Sequence, residues 1–161
     1  MDFLNNLENK MQHILDEKFD LHREISKQVH DPKLRSSREQ LYTPGGEFKA
    51  SGTKEKVRAK IGPDLAGKFL FHTHPHGLPM PSREDLEASI SSAEKGLQGL
   101  VIFGNMPEEE EGSLRHYMII IPTDPDLNRI SKYEHLVRDG KFDEALKTLS
   151  AMGFNIETGD I

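Results

Sequence analysis

Three short apolar runs constrain this chain more than anything else in it: Phe69-Leu70-Phe71, which leads into His72-Thr73-His74, then Leu100-Val101-Ile102-Phe103, then Tyr117-Met118-Ile119-Ile120-Ile121. Each is too short for a core helix and is rich in aromatic or β-branched residues. Gly67 precedes the first and Pro122 follows the third, so all three read as buried strands. The second and third, separated by the acidic loop 105 to 113, are expected to pair antiparallel. Between the first and second, Ser82 caps a helix in which Leu86, Ile90, Ala93 and Leu97 recur at helical spacing, with Gly96 and Gly99 near its end. Successive side chains of a strand point to opposite faces, so Leu70, His72 and His74 share one.

The remaining segments are expected as follows. Phe3, Leu4, Leu7, Met11, Ile14 and Leu15 give residues 2 to about 17 the apolar stripe of an amphipathic helix. A strand is expected near 24 to 29, one or two more within 33 to 50, and a short helix from Thr53 to Ile61, ended by Gly62-Pro63. Two helices are expected near 126 to 138 and 141 to 151, the second carrying Phe142, Ala145, Leu146 and Leu149 on one face. With 161 residues and no internal repeat, the whole chain, 1–161, is expected to form one α/β domain. Its core would span about 18–122, with a C-terminal helical extension at about 126–151.

The chemistry concentrates in His72-Thr73-His74-Pro75, six further residues, then Ser82-Arg83-Glu84-Asp85. Two imidazoles on one strand face can converge on one metal ion, and Asp85 enters eleven residues after His74 on the first turn of the next helix. The set is nitrogen and oxygen only, as in the open coordination of catalytic zinc. The chain has no cysteine, which excludes disulfides and thiolate zinc fingers. Ser82 and Asp85 also fit a capping box with Asp in place of the usual Glu or Gln, so both could serve only to start the helix. His76 falls in the loop and is expected at the rim.

Composition narrows the function classes. Lys plus Arg total 21 against 27 Asp plus Glu, a net charge of −6, which disfavours a general nucleic-acid binder. The run Glu108 to Glu111 is expected to be a solvated turn. No apolar run approaches the roughly 20 residues that span a bilayer, and Met1 to Asn6 lack the features of a signal peptide. A cytoplasmic protein is expected.

His72, His74, Pro75, Ser82 and Asp85 match the signature His-x-His-Pro, six residues, Ser-x-x-Asp, so the chain resembles the JAMM or MPN-type zinc isopeptidases. The following helix-strand-strand order extends the resemblance to about 67–122. It implies an MPN-like (cytidine-deaminase-like) fold, a mixed β-sheet flanked by helices with helical N- and C-termini. It also implies one Zn2+ per chain held by His72, His74 and Asp85, with water in the fourth position. Ser82 would hydrogen-bond that water or the developing oxyanion. The family uses an upstream glutamate as general base, and Glu24, 48 residues before His72, takes that place. The segment after Glu24 lacks the family's Gly and apolar run, so Glu47 and Glu39 stay open as alternatives. The implied activity is hydrolysis of a peptide or isopeptide bond, with a protein or peptide substrate, such as the C-terminus of a ubiquitin-like or small protein. Segments His74-Pro75-His76-Gly77 and Pro81 to Asp85 also resemble the RadC-like branch, with its DNA-related roles, although His76 departs from it. A non-catalytic scaffold of the family is the third reading.

Overall fold

The computed structural model describes residue 6 and residues 21–46, 48–52, 65–109 and 114–161. The helices expected at 2 to 17 (apart from residue 6) and at 53 to 61, and the candidate Glu47, lie outside the described residues. Residues 21–27 form a helical segment, α1, followed by 3-10 turns Gln28–His30 and Pro32–Arg35. Then come β1 (Gln40–Tyr42), β2 (Lys49–Ser51), β3 (Phe69–Thr73), α2 (Arg83–Glu94), β4 (Gly99–Gly104) and β5 (His116–Pro122). A 3-10 turn, Leu127–Arg129, leads into α3 (Ile130–Arg138), α4 (Phe142–Ala151) and β6 (Phe154–Asp160).

The strands form one mixed sheet in the order β2-β1-β3-β4-β5-β6. β3 and β4 run parallel, Phe69 opposite Gly99 through Thr73 opposite Phe103, joined by α2. The other neighbours are antiparallel, including the expected β4–β5 pair. β3, β4 and β5 are covered on both faces, which is why they read as unbroken apolar runs. Leu70, Ile102, Met118 and Ile120 pack with Leu86 of α2, Tyr133 and Leu136 of α3, and Ala145 and Leu149 of α4. Phe71, Val101, Phe103 and Ile119 pack on the other side with Leu21 and Ile25 of α1 and with Leu34. Each of these groups alternates along its strand, so the pleat divides a single apolar run between two cores.

Two expectations are corrected. Residues 24 to 29 do not form a strand: Leu21, Ile25 and Gln28 are buried at helical spacing, and the Tyr42 hydroxyl donates to Gln28 Oε1 at 2.7 Å. The C-terminus is not helical: α3 and α4 occupy the expected helical stretch and pack on the core of β3 to β5, but the chain then returns to the sheet. β6, which the sequence reading omitted, pairs with β5 over seven positions from His116–Asp160 to Pro122–Phe154.

Candidate metal centre

The centre lies where β3 ends. β1 runs antiparallel beside β3, with Leu41 opposite His72. His72 Nδ1 is 3.0 Å from the carbonyl of Gln40, and His74 Nδ1 is 2.8 Å from the carbonyl of Leu78. A carbonyl can only accept, so both Nδ1 atoms carry the hydrogen and both Nε2 atoms face inward. The rings stand edge to face with centroids 4.7 Å apart. His72 Nε2 lies 3.3 Å from Asp85 Oδ1, and His74 Nε2 lies 3.1 Å from Asp85 Oδ2.

A second carboxylate completes the group. Glu39 directly precedes β1 and is buried, with Oε2 3.6 Å from His72 Nε2. Strand alternation puts it on the face of Leu41 and His72 rather than that of Gln40 and Tyr42. Backbone bonds fix its place: Gly52 N–H donates to the Glu39 carbonyl at 2.9 Å, and Gln40 N–H donates to Thr73 Oγ1 at 2.8 Å. One ligand atom each from Glu39, His72 and His74 lies within 4.8 Å of the others, a buried group that could hold a metal ion.

Asp85 is held independently of the histidines. Ser82 N–H donates to Asp85 Oδ2 at 2.9 Å, and Asp85 N–H donates to Ser82 Oγ at 3.1 Å, so the expected capping box forms in full. Ser82 is exposed, and its own hydroxyl proton is left to donate outward. Burial would raise the Asp85 pKa, but His72 and His74 hold it well below the usual carboxylate range. Burial alone would lower the His74 pKa; the hydrogen bond and charge of Asp85, the Leu78 carbonyl and the charge of Glu39 raise it instead.

The donor chemistry fits a divalent cation. In the neutral rings both Nε2 atoms present lone pairs to carboxylate oxygens, and like partners cannot bond without a positive charge between them. Burying carboxylate charge beside neutral rings is costly without a compensating positive charge. The Nδ1–carbonyl bonds are the outer-sphere contacts that orient metal-ligating histidines.

The loop joining β3 to α2 is clamped from two sides. Asn105 Nδ2 donates to the Pro75 carbonyl at 3.0 Å, its Oδ1 accepts from Leu114 N–H at 2.7 Å, and its N–H donates to the Gly77 carbonyl at 2.8 Å. The Tyr133 hydroxyl donates to the Pro81 carbonyl at 2.7 Å. Gly104 admits the loop: a Cβ there would stand 2.4 Å from Pro79 N and 2.5 Å from the Leu78 carbonyl carbon. His76 is exposed on this loop, as expected.

The structure thus brings His72, His74, Asp85 and Ser82 together and leaves Glu24 out. Glu24 lies on α1, whose Leu21 and Ile25 pack on the opposite face of the sheet, and its carboxylate meets Lys27 at 3.2 Å. It lines a groove with Phe69 and Phe71, the β3 residues that point away from the histidines. Among the described residues, Glu39, the third candidate, is the glutamate beside the two histidines. Asn105, Gly104 and Tyr133 escaped the sequence reading because nothing local marks them; each acts across the tertiary fold. Comparison with protein-family models, curated proteins and solved structures returns no match to this chain.

Proposed function

We propose that this protein is a zinc-dependent hydrolase of peptide or isopeptide bonds, with Glu39 rather than Glu24 as general base. The observation that carries the reading is the buried Glu39 carboxylate beside two histidines whose Nδ1 atoms are both committed to backbone carbonyls. His72, His74 and Asp85 would hold the ion. When bound, zinc polarises a water molecule and the scissile carbonyl and lowers the water's pKa to about 7. Glu39 accepts the water's proton and returns it to the leaving amine, a role its buried position beside His72 suits. Ser82, anchored by the Asp85 amide, donates its hydroxyl proton to the oxyanion. Asn105 and Tyr133 keep the loop between His74 and Ser82 in place, so that these groups are oriented before substrate arrives.

The intact donor set speaks against a scaffold that has lost its chemistry, and the net charge of −6 speaks against the DNA-related reading. The test combines elemental analysis with hydrolysis of ubiquitin-like fusions and short peptides, with and without chelator. One zinc per chain and chelator-sensitive cleavage are expected. Stoichiometric zinc without cleavage of any of them would reject hydrolysis, and cleavage undiminished in metal-free protein would reject the metal's part in it.

A further inference from the structure

Two strands across from the centre, at the same end of the sheet, lies a cleft of about 390 Å3. Its walls are apolar: Leu78 and Met80 of the loop, Met106, Met118 of β5, and Phe142 and Leu146 of α4. Its rim is acidic, with Asp143 at the start of α4 and Asp160 at the end of β6. Among the described residues lining it, His116 is the one basic group. Its charge is already engaged, because Nδ1 meets Asp160 and Nε2 meets Glu109, each at 2.5 Å. The rim therefore keeps a net negative charge around a channel of thioether and aliphatic groups.

A long alkyl stem ending in a cation matches that combination, since such side chains lay their methylenes on apolar surface while the head stays at the polar edge. We propose that this cleft is a specificity subsite for an arginine or lysine side chain of the substrate. Two to three strand spacings separate β3 from β5 and β6, about 10–14 Å, which an extended peptide covers in about three to four residues. The loop connects the two places directly, because Leu78 both lines the cleft and accepts the hydrogen bond of His74. The basic residue thus sits about three to four positions from the bond to be cleaved. This register rests on the proposed hydrolysis; recognition of the side chain does not.

Fluorescein-labelled nonapeptides with four alanines on either side of a central arginine or glutamate, titrated against the full chain by anisotropy with and without chelator, test the cleft apart from turnover. The arginine peptide is expected to bind about five- to tenfold more tightly, the range of a charge-assisted contact at a partly exposed rim. Asp143→Lys should remove that preference and Asp143→Asn reduce it, whereas Glu94→Lys, the same charge change outside the cleft, should keep it. Thermal melts show that each variant is folded. Equal or absent binding of the two peptides, or a preference that survives Asp143→Lys, overturns the proposal. Arginine-selective binding with no cleavage of any peptide would keep the cleft and reject hydrolysis, while cleavage without arginine selectivity would do the reverse.

Discussion

Among the described residues, histidine meets two carboxylates both at the centre and beside the far edge of the sheet, in different surroundings. At the centre, His72 and His74 spend Nδ1 on backbone carbonyls and turn Nε2 toward Asp85 and Glu39. At the far edge, His116 gives one nitrogen to Glu109 and the other to Asp160. Burial lowers the His116 pKa, but the hydrogen bond to Asp160 and the charge of Glu109 raise it, and both ring nitrogens face carboxylate oxygens. Residue type is the same in both; what differs is the backbone partner of Nδ1, which at the centre leaves Nε2 facing the group that could hold a metal ion. Burial then sets the scale, since the His72 side chain is 5% exposed and that of His116 25%.

The sharpest test of this contrast is deletion. His72→Ala or Asp85→Ala should abolish stoichiometric zinc and hydrolysis, whereas His116→Ala should keep both; zinc retained in the His72 variant would erase the distinction. Next in size is the base. Glu39→Gln should keep the metal by elemental analysis while kcat falls about 10²- to 10⁴-fold, the usual worth of a positioned proton acceptor. Glu24→Gln should turn over at the native rate, and full activity in the Glu39 variant would remove Glu39 from the mechanism. A smaller effect follows from the loop: Gly104→Ala forces Leu78 and Pro79 outward, tilting His74 through its Nδ1 bond. Zinc affinity should drop about 10- to 100-fold by competition with a chelating dye, as for other outer-sphere changes. Unchanged affinity would mean that the Leu78 carbonyl does not orient the ring.

The smallest expected effect is a dependence on pH. The raised His74 pKa means that its pairing with Asp85 stabilises the metal-free protein fully below the unfolded value of about 6.5. That stability is lost as pH rises through the folded value. The depressed Asp85 pKa adds stability present above about pH 4 and lost on acidification. Metal-free protein should therefore melt highest between about pH 4 and 6.5 and lower toward pH 9. The rise in Tm on adding zinc should instead grow with pH, because protons compete for the same nitrogens. Parallel trends in the two melts would show that His74 does not bind both.

Most of the frame was readable because burial on both faces leaves unbroken apolar runs, as at Phe69–Phe71 and Tyr117–Ile121. His72, His74, Ser82 and Asp85 were readable because one strand, one loop and one helix start bring them together locally. Glu39 was not, since its place depends on which strand pairs with β3, and no local pattern states that. Glu24 takes the place of a base only if 24 to 29 is a strand, whereas Leu21, Ile25 and Gln28 carry a helical spacing. The alternation of Phe154, Ile156 and Thr158 after Gly153 is the local signal of β6, directly behind the helix before it.

Asp85 closes the capping box of α2 through the same carboxylate that faces the histidines. The start of a helix and the aim of a candidate ligand are thus one conformational event. On the proposed reading an arriving ion would meet a seat already assembled, and its uptake should follow simple second-order kinetics, with no slower phase in which the protein rearranges around it.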